Sequence, residues 1–131
     1  EFDTVPGAGI RPMPVQRPIP VWMGGHSDPA YRRIGRLAEG WFPQMQPGDD
    51  LDNALDVIAA SAREAGRDPP TIGLDGRIRT DGADPDRLAR GVERWREAGA
   101  THLSVDTMNF GQATVDDHLE VLRQTAEQLG L

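Results

Sequence analysis

Apolar residues recur along this chain with two different periods, and the two alternate. Val21 to Gly24 is a short apolar run between Pro20 and Gly25, which predicts a strand. Beyond Asp28-Pro29 the spacing widens. Ala30, Ile34, Leu37 and Ala38 share one helical face, and Arg32, Arg33 and Arg36 fall on the others. Asp28 reads as the N-cap of this helix and Pro29 as its first residue. Gly40 ends the helix or opens a second short strand over Trp41 to Pro43. Asp49 and Asp50 open another helix, where acidic groups favour the positive end of the helix dipole. Leu51, Leu55, Ile58, Ala59 and Ala62 form its apolar stripe, and "AGRDPP" ends it.

"TIGLDGRIRT" returns to a period of two. Ile72, Leu74 and Ile78 lie on one face of this third strand and Asp75, Arg77 and Arg79 on the other. Asp84-Pro85 repeats the cap-and-proline device before a third helix lined by Leu88, Val92 and Trp95 and closed by Gly99. "THLSVDT" is a fourth strand. Thr114 with Asp117 makes a capping box for a last helix striped by Leu119, Leu122, Ala126 and Leu129.

The order is strand then helix, four times. Such alternation implies an α/β fold with parallel strands joined by right-handed crossovers. Two architectures fit: a small doubly wound domain, or four βα units forming half of a (β/α)8 TIM barrel. A full barrel takes about 250 residues, and the chain has 131. The domain is read as residues 18–131, after a proline-rich lead-in over residues 1–17 in which Glu1-Phe2 matches a cloning scar. With no initiator methionine, the chain reads as cut from something longer.

Composition removes several function classes. There is no cysteine, so neither a disulfide framework nor a thiolate centre is available, which suits a cytoplasmic location. The net charge of −7 disfavours nucleic acid and anionic membranes as partners. No apolar run reaches the ~20 residues of a membrane span. The three histidines, His26, His102 and His118, lack metal-ligand spacing.

In a parallel βα layer, function gathers at the carboxyl ends of the strands. Four segments meet there: "GGHSDP", "FPQMQPGDD", "RTDGADP" and "DTMNFGQAT". In the first, Gly24 and Gly25 permit close backbone approach and Ser27 offers a hydroxyl. The following helix directs free N–H groups at the loop. The same residues also serve as a plain tight turn. His26 is either a phosphate donor or general base, or an exposed turn residue. His102 and His118 read as structural or exposed. Trp22 and Trp41 lie on adjacent strands and Trp95 on a helix. A flavin would stack on such rings, but packing against helices is the expected use of all three. Asp75, Arg77 and Arg79 form either a polar cluster inside a barrel or, on an open sheet, a solvent face. Asp106 ends the fourth strand without a second carboxylate.

The stretch "QRPIPVWMGGHSDPAYRRIGRLAEGWFP" resembles the signature of luciferase-like monooxygenases, particularly their deazaflavin-dependent branch, and "EAGRDP" and "GATHLSVDTM" are similar to later family segments. The resemblance covers residues 12–131. It implies a (β/α) barrel and an oxidoreductase parent binding FMN or the deazaflavin coenzyme F420. It also implies that Gly24, Gly25, His26 and Ser27 hold the cofactor phosphate. Most family residues for chemistry precede the region matched here, so no catalytic residue is assigned and the isolated chain is expected to be inactive. Two other readings stand beside it: a non-enzymatic, self-associating half-barrel, and a small phosphate-ligand binding module. In an isolated half-barrel, apolar strand surface from Val21, Met23, Ile72, Leu74, Leu103 and Val105 is expected to face inward in part. A homodimer is then the expected state, unless Val5 to Pro20 folds back as a lid.

Overall fold

A computed structural model describes Gly7, Gly9 and residues 12–131 of the protein. Residues 1–6, 8, 10 and 11, which include Glu1-Phe2 and the first part of the proline-rich lead-in, lie outside the described residues. Four strands form one sheet: β1 (Trp22–Gly24), β2 (Gly40–Phe42), β3 (Gly73–Arg79) and β4 (His102–Asp106). Each is followed by a helix: α1 (Asp28–Leu37), α2 (Asp49–Glu64), α3 (Pro85–Glu97) and α4 (Val115–Gln128). A single 3₁₀ turn, Pro69–Thr71, shortens the start of the predicted third strand, because Pro69-Pro70 cannot join a ladder.

The strands are parallel and ordered β1-β2-β3-β4. A doubly wound sheet needs its strand order to reverse at a switch point. This sheet has no reversal, so its four βα units have the arrangement of half a (β/α) barrel.

One core forms between the sheet and the helices. Met23, Trp41, Leu74 and Ile78 point to the helix side, where they meet Tyr31, Ile34, Leu51, Ile58, Leu88 and Trp95. Two contacts set how closely α1 and α2 approach. Gly35 of α1 lies directly against the Ile58 carbonyl, and a Cβ there would also meet Ala62 N at 2.9 Å. Arg67, just past α2, reaches back to the end of α1. Its Nη1 donates to the Gly35 carbonyl at 2.8 Å and its Nη2 to the Ala38 carbonyl at 2.6 Å, satisfying orphan carbonyls of that helix. Arg67 also lies 3.7 Å from Glu39, whose other carboxylate oxygen accepts from Val21 N at 2.7 Å. One guanidinium thus ties α1, α2 and the entry to β1 together.

Several expectations need correction. The N-cap of α1 is Ser27, so Asp28 and Pro29 each stand one place further into the helix. Leu37 is 59% exposed, while Tyr31 is buried in its place. The α1 face turns toward α2 through Gly35, and that rotation carries Leu37 outward. In α4 the buried residues are Val121 and Thr125, with Leu119 and Leu122 exposed. This helix leans on the β3–α3 loop, with Gln128 Nε2 donating to the Gly82 carbonyl at 3.0 Å, rather than lying flat on the sheet.

A further correction concerns the sheet itself. Trp22 does not face the helices. Its indole lies on the opposite face, across β2 and β3, against Gly40 and Gly73, where a Cβ on Gly73 would come within 2.6 Å of the ring. Phe42 tilts against it at 5.2 Å and His102 meets it edge-on at 4.8 Å. Met23 and Leu74, expected to be partly inward, pack among the helices instead. The face away from the helices therefore has an aromatic floor and a polar upper half.

Gly35→Ala tests the helix contact. Its Cβ has nowhere to go without moving the α2 backbone, so overpacking is expected to cost about 1–3 kcal/mol. Urea unfolding monitored by circular dichroism measures this. A midpoint equal to the parent's would show that the helices yield freely.

Candidate functional site

Gly25 sits between the end of β1 and the start of α1 under three constraints. Its φ is +144°, a conformation L side chains rarely adopt. A Cβ on it would stand 2.6 Å from the Ala30 side chain. Its carbonyl accepts from Trp41 Nε1 at 3.2 Å. Trp41 is almost fully buried and edge-packed against Tyr31, with ring centroids 5.4 Å apart, so the loop is anchored to the core by a fixed indole. Sequence reasoning assigned Trp41 to packing and missed this second task. A Trp one strand from a Gly-Gly pair was the available signal.

The loop leaves donors free. Ser27 is the N-cap in extended geometry, yet its side chain makes no cap hydrogen bond, so its hydroxyl stays available. Among the described residues, the amides of His26 and Ser27 have no protein acceptor, and the first-turn amides of α1 lack intrahelical partners. His26 and Ser27 are both exposed. Gly24, Gly25, His26 and Ser27 are therefore together at the carboxyl edge of β1, in one turn that ends on a helix N-terminus.

Charge decides from which side an anion can approach. A groove of ≈ 420 Å³ on the helix side of the loop is lined by His26, Tyr31 and Met45, but also by Asp28 and Asp50. Burial, with help from those two carboxylates, raises the Tyr31 phenol above its ordinary value and keeps it neutral. Two carboxylates repel an anion from this groove. The unpartnered amides and the Ser27 hydroxyl lie in the turn between the carboxyl end of β1 and the start of α1.

The carboxyl end of β1 borders the inner sheet face. Gly24 is in register with Phe42 on the neighbouring strand, about 5 Å away. Beyond it a cleft of ≈ 290 Å³ is lined by Phe42, Pro43, Gln44, Asp75, Arg77 and Ser104. Asp75 is not an ordinary solvated residue. It is 8% exposed, and Ser104 Oγ lies 2.8 and 3.0 Å from its two carboxylate oxygens. Arg77 and Arg79 are exposed, as an open face predicts. Arg79 lies 3.6 Å from Asp106, donates to the Met108 carbonyl at 3.1 Å and sits 5.3 Å over the Phe110 ring. Asp106 also accepts from Met108 N at 2.9 Å, so it shapes the β4–α4 turn.

His102 and His118 are not part of the loop. His102 abuts Trp22 and shares a 2.8 Å hydrogen bond with Thr101 Oγ1, and His118 shares one of 2.8 Å with Thr107 Oγ1. No group of three metal-ligating side chains occurs among the described residues, and no helix among them is long and apolar enough to cross a membrane.

The Asp75–Ser104 pair gives a direct stability test. Ser104→Ala leaves a nearly buried carboxylate without its hydroxyl donor, with an expected loss of about 1–3 kcal/mol at neutral pH. Ser104→Thr should retain most of it. Equal unfolding midpoints for the parent and the alanine variant would remove the pair's structural role.

Comparison with known proteins follows the same lines. The model of the luciferase-like monooxygenase family matches residues 1–78, more than half of the chain. An uncharacterised protein of Mycobacterium tuberculosis is 35% identical over 109 residues, which is 80% of this chain and 34% of that protein. The F420-dependent hydroxymycolic acid dehydrogenase of the same organism is 32% identical over 84 residues, 63% of this chain and 23% of its own length. Among solved structures, the coenzyme F420 dependent tetrahydromethanopterin reductase of Methanopyrus kandleri superposes with a TM-score of 0.63 at 16% identity, over 82% of this chain and 50% of that one. The chain thus spans about a third of the first relative and half of the barrel it superposes on.

Proposed function

The chain belongs to the luciferase-like monooxygenase family, and from that premise we propose that it carries the phosphate-holding side of a flavin-type cofactor site in an oxidoreductase. The phosphate of FMN or of the deazaflavin coenzyme rests on the amides of Gly25, His26 and Ser27 and on the Ser27 hydroxyl, in front of the α1 N-terminus. The observation that carries this reading is Gly25. It is closed to any Cβ, pinned by the Trp41 indole, and followed by a serine cap whose hydroxyl is unspent. The F420 dependence of the related dehydrogenase and reductase supports the deazaflavin coenzyme over FMN.

The cofactor, when bound, supplies the hydride acceptor or donor. The residues of this chain bind and orient. Backbone amides, that of His26 among them, and the Ser27 hydroxyl donate to the phosphate. The cleft at Phe42, Gln44 and Arg77 lies one strand away, on the path from the phosphate toward the barrel interior. This reading gives the described side chains no role as acid, base or nucleophile. The chain alone accordingly binds weakly and does not turn over.

Its exposed inner face favours pairing. Phe42 is 42% exposed there, and the outer strands β1 and β4 have free edges. A twofold homodimer covers both copies at once.

Three measurements check this reading. Titration of FMN and of the deazaflavin coenzyme, followed by fluorescence, should show binding that Gly25→Val weakens at least about tenfold, equivalent to ~1.4 kcal/mol. Equal affinity in the variant would remove the loop from the site. Purified chain should show no hydride transfer to or from either cofactor, and steady turnover would contradict the orienting role. Light scattering after size exclusion at micromolar concentration should give twice the chain mass, and a monomer mass would refute the dimer.

A further inference from the structure

Among the described residues, Asp75 is the only charged side chain that is buried. It stands on the inner face of β3, and its hydrogen bonding is incomplete. Ser104 Oγ lies 2.8 and 3.0 Å from its two carboxylate oxygens, but a hydroxyl has one proton and donates to one of them at a time. No other donor and no cation reaches this carboxylate among the described residues. His102, opposite Asp75 in register on β4, is committed elsewhere: its ring meets Trp22 and its Nδ1 shares a hydrogen bond with Thr101. A carboxylate can accept from about four donors, and withdrawing it from water without them is costly.

The spare capacity opens into the ≈ 290 Å³ cleft on the inner face. Asp75 and Arg77 are the two charged groups that line it, the first nearly buried and the second exposed. They lie two residues apart on one face of β3, about 7 Å along the strand, and form no ion pair with each other. The backbone beneath Arg77 is fixed, since its carbonyl accepts from Trp95 Nε1 at 3.2 Å and from Gln46 Nε2 at 3.5 Å. Phe42 and Pro43 form an apolar wall beside the two charges, with the Phe42 ring exposed to the cleft.

One acid and one base along an apolar wall select by charge. A simple cation meets repulsion from Arg77, and a simple anion meets it from Asp75 and from a chain of net charge −7. A molecule carrying both charges meets neither. An ammonium group brings three donors to a carboxylate that has one shared hydroxyl, and those bonds are charge-assisted. We propose that this cleft binds a small zwitterion of the ω-amino acid class, its ammonium donating to Asp75, its carboxylate facing Arg77 and its methylenes lying along Phe42 and Pro43. The site uses neither the turn at Gly25 nor a cofactor.

NMR titration of the nitrogen-labelled chain with γ-aminobutyrate, butylamine and butyrate tests the proposal. γ-Aminobutyrate should shift the amides of Phe42, Gln44, Arg77 and Ser104 saturably, with a Kd below about 5 mM. Butylamine and butyrate, each with one of the two charges, should bind at least about tenfold more weakly. Asp75→Asn, which keeps an oxygen for Ser104, and Arg77→Gln, at an exposed position, should each weaken γ-aminobutyrate at least about tenfold, with unfolding midpoints verifying that both variants are folded. If no probe saturates, the cleft holds water alone and the proposal fails. If butylamine binds as tightly as γ-aminobutyrate, Asp75 is a socket for a lone basic group and the zwitterion is wrong. A folded variant that binds as tightly as the parent removes its residue from the site and overturns the proposal. Gly25→Val should leave probe binding unchanged, so failure here and failure of the flavin-type reading are separately visible.

Discussion

The placement of one indole constrains most of this sheet. Trp22 can lie flat across β2 and β3 only because Gly40 and Gly73 carry no Cβ beneath it. Those two glycines and Trp22 share one register line across three strands. With the ring in place, Phe42 and His102 close on it from either side, and the lower half of the inner face is filled by aromatic groups. A related arrangement occurs on the other face, where Gly76 makes room for Trp95 and a Cβ there would meet that ring at 2.6 Å. The sheet thus accepts large rings on both sides by removing side chains from its own strands, and dispersion over these extended contacts offsets the weakening that glycine brings to a strand.

The functional end of the fold depends on a second close contact. Gly35 lets α1 settle on α2, and Arg67 holds the carbonyl end of α1 in that position. With α1 fixed at its far end, its N-terminus is held against the Trp41 and Tyr31 rings, and the turn at Gly25 has little freedom. A loop that presents amides to an anion gains affinity from being rigid beforehand, because little ordering remains to be done on binding. Core packing and the turn at Gly25 are therefore one mechanical unit.

Across the inner face polarity rises toward the carboxyl ends of the strands. Aromatic rings at the level of Gly73 give way to Asp75 with Ser104, then to Arg77, then to Arg79 with Asp106. This gradient matches the general logic of βα layers, in which the amino end is structural and the carboxyl end meets ligands. The turn at Gly25 lies at that end.

Much of this was legible in the residues themselves. Alternating periods of two and 3.6, with Asp-Pro and glycine punctuation, located four strands and four helices to within a residue or two. These signals are local, set by backbone geometry and solvent exposure. Gly24 to Ser27 was legible as a candidate for the same reason, since glycines and a serine directly before a helix form either an anion-holding turn or a plain tight one. What lies between elements was not legible. Periodicity does not say which face of β1 the Trp22 ring takes, and it left Asp75 open between a polar cluster and a solvent face because its partner Ser104 lies 29 positions away. Nor does it say that Ser27 rather than Asp28 caps α1, or that Leu37 and Leu119 stay exposed. The choice of a half-barrel over a doubly wound sheet likewise came only with strand order. Each of these rests on contacts between segments distant in sequence. Local pattern carries the energetics of a residue with its near neighbours and with water. Only the assembled structure brings in steric exclusion and pairing across strands, and those decided where the rings and the buried carboxylate came to rest.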